Sequence, residues 1–433
     1  MKFTHSFTYI SACALLLQQS VSAVPLQQPG ALVKRGSGLH GKFLHITDIH
    51  LDPYYKEGAD PSSLCHRHGK KRSKESGKYG ALGTDCDTPV PLVQIAFDFL
   101  KEKVQDVDFI LYTGDTARHD RDDDLPISDD DIVDSHQTVL KYFQSAYSTK
   151  HTPYVPTIGN NDGFDHNDLG KKAKIFTKLE SIWKPLGLNL THNFAQGGYF
   201  AQDILDGKLT VINTNSMYFF KKDDASDCDK EGSPGTIQLK WLENTLDHYA
   251  QKDGNHQVYL MGHVPPVDDD GSKLFKDKCY SKYIDLLGKH SKIIAGHFTG
   301  HTNNDNLNAI VSDDDEYTLV HAGKHSNVDS KTAVGLFNAP SIIPKNNPAI
   351  RVYKYQAEGG KYPVGTILDW EQYYLDLEKA NNDGDAKFEL EYTASDLFGV
   401  DHFDGTGVAK AMNAVADNKK IRKLYKKYAG VST

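Results

Sequence analysis

Six short apolar runs recur along the chain, at residues 43–49, 109–113, 154–158, 209–213, 257–261 and 292–298. Longer amphipathic stretches separate some of them, at about 89–104, 131–148 and 236–251. The short runs have the length and the β-branched and aromatic content of strands, and the long ones predict helices. That alternation restricts the chain to an α/β fold with a layered sheet core. Ahead of the first helix Thr88 is expected to act as cap, with Pro89 in the first turn and Leu92, Ala96, Phe99 and Leu100 on one face.

The polar residues fall at the ends of these runs. Asp48-Ile49-His50 follows the first, Gly114-Asp115 the second and Gly159-Asn160-Asn161-Asp162 the third. Gly262-His263 and Gly300-His301-Thr302-Asn303 follow the last two. Ligand sites of open α/β sheets collect at the carboxyl ends of strands, and glycines there permit the tight turns that bring side chains together. Carboxylate, imidazole and amide groups in one place suit hard or borderline divalent metals. A carboxylate shared by two cations about 3.5–4 Å apart is the arrangement used for in-line phosphoryl displacement. Any one of these motifs alone occurs by chance; the ordered set is specific.

That order, Asp-x-His, Gly-Asp, Gly-Asn-x-Asp, Gly-His, Gly-His-x-x, resembles the calcineurin-like metallophosphoesterase superfamily. Flanking text resembles its acid sphingomyelinase-like branch: His45 to Asp52, Tyr79 to Pro89 with Cys86-Asp87, and Gly262-His263-Val264-Pro265-Pro266. Ala339-Pro340-Ser341, Asn347-Pro348 and Arg351-Val352-Tyr353 extend the likeness, with no activator-like domain expected ahead of it. Two departures narrow it: Asn161 stands where the superfamily usually has histidine, and Asn303 where it usually has a last histidine. Both are similar to the fungal endopolyphosphatases.

The resemblance implies a four-layer αββα sandwich with a helical C-terminal extension. It implies one metal held by Asp48, His50, Asp115 and Asn303, and a second by Asp115, Asn160, His263 and His301, with Asp115 bridging. An amide oxygen at residue 303 hardens the first site, so Mn²⁺ or Mg²⁺ is expected over Zn²⁺ or Co²⁺. Water activated between the metals would attack an internal phosphorus of inorganic polyphosphate. Asn161 is then read as a catalytic residue that hydrogen-bonds a phosphoryl oxygen, with Asp115 as the other. A phosphoanhydride releases a weakly basic phosphate chain end, so a general acid at residue 161 matters less than for an alkoxide. The alternatives are a sphingomyelinase-like or nucleotide phosphodiesterase and an inactive polyanion-binding protein.

The rest of the sequence bounds the setting. A formal charge of −9 argues against a nucleic-acid partner. Within the run 66–74, Arg67, Lys70, Lys71 and Arg72 are candidates for guiding a polyanion, while the acidic clusters 122–124 and 129–131 read as solvated loop. Lys2, an apolar stretch over 7–17 and Val21-Ser22-Ala23 predict a signal peptide over 1–23 or a retained anchor, the one route to a membrane. A linker or propeptide over 24–41 carries the dibasic Lys34-Arg35, the catalytic domain is expected over 42–345, and the extension over 346–433, helix-prone from Trp370. Cys65, Cys86, Cys228 and Cys279 suit an exported chain with two disulfides. Three connectivities are open; Cys65–Cys86 and Cys228–Cys279 close the shortest loops. Asn189-Leu190-Thr191 is a glycosylation sequon. These features agree with the secretory pathway, and with the resemblance point to the vacuole lumen, or its membrane if the anchor is retained, with secretion as the alternative.

Overall fold

A computed structural model describes residues 39–69, 75–170, 172–205, 207–252, 255–313, 316–322, 328 and 332–432. The expected signal segment, most of the linker with Lys34-Arg35, and Lys70, Lys71 and Arg72 lie outside the described residues.

Two mixed sheets face each other. The first has six strands in the order Glu389–Thr393, Ile367–Tyr374, Ala349–Tyr355, Lys42–Ile46, Phe109–Tyr112 and Tyr154–Pro156. The second has seven, ordered Glu316–His321, Asn306–Asp313, Thr332–Asn338, Ile294–Thr299, Gln257–Met261, Leu209–Asn213 and Phe200–Leu205. Aromatic rings bind the two faces. Phe43 lies 4.8 Å from both Phe109 and Tyr353 within its own sheet, and 5.4 Å from Phe298 and from Tyr259 across the gap. Truncating so enclosed a ring to alanine costs about 3–5 kcal/mol.

Helices form the outer layers of this αββα sandwich. On the first sheet, Phe143 of helix Asp129–Ala146 packs 4.4 Å from Tyr154 and 4.8 Å from Phe97 of helix Val90–Lys103. On the second, Tyr283 of helix Asp277–Lys289 hydrogen-bonds His297 at 2.8 Å. The strands Lys42–Ile46, Phe109–Tyr112 and Tyr154–Pro156 run parallel, as do Leu209–Asn213, Gln257–Met261 and Ile294–Thr299. Their carboxyl ends therefore open on one rim.

Three local expectations change. Thr88 does not cap the first helix: it pairs with Leu51 in a two-residue strand, and Pro89 is the cap residue, without a side-chain bond. The stretch around Trp370 is a strand, because its register on Ala349–Tyr355 buries Trp370 against Phe403 at 4.5 Å. Helices follow only at Leu377–Asp383, Ala394–Phe398, Gly405–Asp417 and Lys419–Ala429. The acidic clusters are not both solvated loop. Ser128 and Asp131 form a reciprocal capping box that starts a helix at Asp129, where carboxylates favour the helix dipole. Asp122 is buried under His66 and Arg67.

Candidate metal centre

At the shared rim the loops after five strands are tied to one another before any ligand is considered. Asp48 N–H donates to the Gly114 carbonyl at 3.0 Å, and Gly300 N–H to the His263 carbonyl at 3.0 Å. Asp162 is fully enclosed and accepts from the N–H groups of Gly159, Asp115 and Thr116 at 2.8, 2.9 and 2.7 Å. One carboxylate thus fixes two loops. The approach is so close that a Cβ on Gly114, whose φ is +90°, would meet Gly159 N at 2.7 Å. A Cβ on Gly300 would lie 2.1 Å from Thr47 Oγ1.

Five of the seven expected ligands adopt left-handed backbone: Asp48 (φ 50°), His50 (41°), Asp115 (56°), His301 (71°) and Asn303 (61°). Each such residue costs of order 1–3 kcal/mol, and clusters of them mark places where function sets the geometry. The turns aim all five side chains inward.

Asp115 lies at the middle. Its Oδ2 is 3.2 Å from His50 Nε2 and 3.3 Å from His263 Nε2. His50 Nδ1 donates to the Ala117 carbonyl at 3.0 Å, and His263 Nδ1 to the Thr113 carbonyl at 2.7 Å. Both rings therefore present Nε2 to the centre, the orientation that backbone carbonyls impose on metal-binding imidazoles. Thr47 Oγ1 and His301 N–H occupy Asp48 Oδ2 at 2.6 and 3.0 Å, leaving Oδ1 at 3.7 Å from His50 Nε2. Asn160 Oδ1 sits 3.0 Å from His263 Nε2 and 2.8 Å from His301 Nδ1.

Electrostatics follow the same map. Burial lowers the His263 pKa, but the charge of Asp115, its hydrogen bond and the charge of Asp48 outweigh it, and the ring is pushed up to about 9. His50 is raised in the same way, against its burial, mainly by Asp115. Burial and then the neighbouring His263 press His301 down to about 3. Asp115 is held well below the usual carboxylate range, its burial overcome by the charges of His263 and His50. The carboxylate at the centre is an anion seeking cations.

The residues fit two cations. Asp48, His50 and Asp115 bring ligand atoms within 4.8 Å of one another, and so do Asp115, His263 and His301. The two groups share Asp115 alone. Asn303 Oδ1 is buried without a hydrogen-bond partner beside them, as a ligand atom would be. The triad Asp227, Cys228 and Cys279 also converges, but its sulfurs are joined in a disulfide.

Asn161 has a definite post. Its N–H and its Nδ2 donate to the two oxygens of Asp115, at 2.9 and 2.8 Å. Of the residues suggested for guiding a polyanion, Arg67 is bidentate on Asp122 at 2.8 and 2.9 Å. Asn189 is half-buried, with its side-chain amide on the Ala201 carbonyl at 3.4 Å. Both disulfides form with the expected pairing, Cys65–Cys86 and Cys228–Cys279.

Sequence reasoning missed His119 and Asp87. The His119 ring stacks on His50 at 4.2 Å, and its Nδ1 meets Asp87 Oδ1 at 2.6 Å. A histidine four residues after Asp115 was the available signal; its carboxylate partner, set beside Cys86, was not visible as such.

Fold and rim together describe an edge-of-sheet site with two adjoining clusters of His and Asp ligand atoms that share one carboxylate. Residues 41–305 match the calcineurin-like phosphoesterase family, and residues 331–432 match the acid sphingomyelin phosphodiesterase C-terminal region. The chain belongs to the calcineurin-like phosphoesterase family. It is 34% identical over 355 residues to an endopolyphosphatase of Cryptococcus neoformans, covering 74% of this chain and 50% of that protein. It is 28% identical over 413 residues to the human cyclic GMP-AMP phosphodiesterase SMPDL3A, covering 89% of this chain and 82% of that one. The chain thus spans half the length of the fungal relative it matches. A solved structure of PhoD aligns with a TM-score of 0.44 at 10% identity, over 81% of this chain and 68% of that one. The two disulfides suit an oxidising, secretory compartment. No helix among the described residues is long and apolar enough to cross a membrane.

Proposed function

We propose that this protein is an endopolyphosphatase that hydrolyses internal phosphoanhydride bonds of inorganic polyphosphate in the vacuole lumen. The observation that carries the reading is Asn161: an amide, spent on holding Asp115, stands where a proton-donating imidazole would serve an alkoxide leaving group. The fungal relatives named endopolyphosphatase support the same substrate.

Asp48, His50, Asp115 and Asn303 would hold one divalent cation, and Asp115, Asn160, His263 and His301 the other, with oxygen-rich ligation favouring Mn²⁺ or Mg²⁺. When bound, such ions neutralise phosphoryl charge and make an attacking water more acidic. The chain's own residues supply position. Thr113 and Ala117 carbonyls fix the two imidazoles, Asp162 fixes the loops, and Asn161 keeps both Asp115 oxygens in one plane of approach. A departing polyphosphate end is a stable anion and needs little protonation.

A second reading has its own observation. The His119–Asp87 pair, stacked beside His50, places an oriented imidazole next to the centre, where a phosphodiesterase needs a proton donor, with burial lowering the pKa of the ring. Comparing kcat/KM for long-chain polyphosphate and bis-p-nitrophenyl phosphate, both with Mn²⁺, separates the two. The proposal expects polyphosphate to be preferred by at least about tenfold, or 1.4 kcal/mol of transition-state stabilisation. Preference for the diester overturns it.

A further inference from the structure

A polyphosphate cut internally must leave the centre in two directions, so an endo site needs cationic groups on both flanks. Lys222 stands on one. Its Nζ lies 5.9 Å from the Phe220 ring, and Phe220 packs edge-on to His301 at 5.2 Å. Lys222 is exposed, and no carboxylate lies within ion-pair distance of it among the described residues. Arg121 stands on the other flank, two residues beyond His119, whose ring covers His50. Its one ion pair among the described residues is loose, 3.5 Å to an Asp85 carboxylate that Lys345 already holds at 2.6 Å. The nearby Asp120 accepts from Ile127 N–H at 2.9 Å.

The two cations approach different ligand groups. Lys222 lies over Phe220, which meets His301 of the group Asp115, His263 and His301, whereas Arg121 follows His119, which covers His50 of the group Asp48, His50 and Asp115. The two groups share Asp115, so the bridging carboxylate lies between the two approaches.

We propose that Arg121 and Lys222 bind the phosphoryl groups on either side of the scissile phosphorus, so that a polyphosphate chain crosses the site instead of entering end-on. This deepens the endopolyphosphatase reading and rests on it. Charge-assisted hydrogen bonds to phosphoryl oxygens from both ends would set chain register as well as affinity.

The test uses the full chain with Mn²⁺ and substrates from pyrophosphate to long-chain polyphosphate. The variants are Arg121→Gln, Lys222→Gln and the double variant, with Lys240→Gln as a remote charge control whose partner is Glu243 at 2.7 Å. On long chains each single change should raise KM about tenfold and the double about a hundredfold. Pyrophosphate gives the scissile phosphorus only one phosphoryl neighbour and cannot fill both flanks, so there the double should be no worse than the poorer single. Bound metal should stay at the wild-type level in every variant, separating lost substrate contacts from a damaged centre. If wild-type cleaves long chains but the variants match Lys240→Gln, the inference fails alone. If the double variant is no worse than a single on long chains, the two-flank arrangement fails. A wild-type chain that hydrolyses a phosphodiester yet leaves polyphosphate intact overturns the endopolyphosphatase reading and, with it, the inference.

Discussion

Replacing Asp115 by asparagine isolates what the shared carboxylate does. The side chain keeps its size but loses its charge, and one oxygen becomes an amide nitrogen. Asn161 donates to both Asp115 oxygens, at 2.9 and 2.8 Å, so either orientation of the new amide sets donor against donor. That mismatch alone costs about 1–3 kcal/mol. The residue is also the only one common to the two ligand groups, so the change removes one anionic contact from each cation position. At about 1.5–3 kcal/mol for each charged contact, the loss is about 3–6 kcal/mol, or some two to four orders of magnitude in kcat/KM. The assay is steady-state polyphosphate hydrolysis alongside metal analysis of the gel-filtered protein. Bound metal should fall by more than one ion per chain. The thermal transition serves as a control, because loss of fold would mimic loss of site. Two ions per chain with wild-type turnover in Asp115→Asn would refute the bridging role.

Asn161→His should fold and retain metal, and should raise the ratio of phosphodiester to polyphosphate kcat/KM by about threefold or more, since imidazole can protonate an alkoxide. An unchanged ratio would sink the leaving-group argument. Glu391 is pushed up to about 8, chiefly by burial and despite the hydrogen bond from Gln372, which lies at 2.7 Å. A carboxyl raised in the folded state is neutral there, so stability is full below its unfolded pKa and declines as pH rises from about 4.5 toward about 8. Glu391→Gln should therefore stabilise the fold at pH 8 by about 1–3 kcal/mol, seen as a raised Tm, and change little at pH 4.5; an equal gain at both would contradict the assignment. Removing the Cys228–Cys279 bridge as the double serine variant should cost about 2–5 kcal/mol in denaturant unfolding. An unshifted midpoint would show that Asp227, which caps the same helix through Lys278 and Cys279 N–H, holds the segment alone.

The strands and the rim were legible because both are local signals. The runs at 209–213 and 257–261 coincide with Leu209–Asn213 and Gln257–Met261, and each polar motif follows its strand directly. Contacts across long sequence distance were not legible. Asp87 lies 32 residues from His119, and nothing in either neighbourhood announces the other. Trp370 sits in helix-favouring text, yet its strand forms because pairing with Tyr353 and burial against Phe403 outweigh local propensity. Asp122 looked like one more acid in a solvated run until the fold placed Arg67 and His66 over it. Asn161 was read as a hydrogen-bond donor to a phosphoryl oxygen; its hold on Asp115 depends on how closely two loops approach, which no motif encodes.

The most direct measurement is the size distribution of early products from long-chain polyphosphate, resolved on a gel at a few per cent turnover with Mn²⁺. Internal cleavage at an Asp115-bridged centre predicts a broad spread of intermediate chains, lost on chelation and restored by Mn²⁺. Release of orthophosphate alone from chains that shorten only gradually, or cleavage that survives complete metal removal, would contradict it.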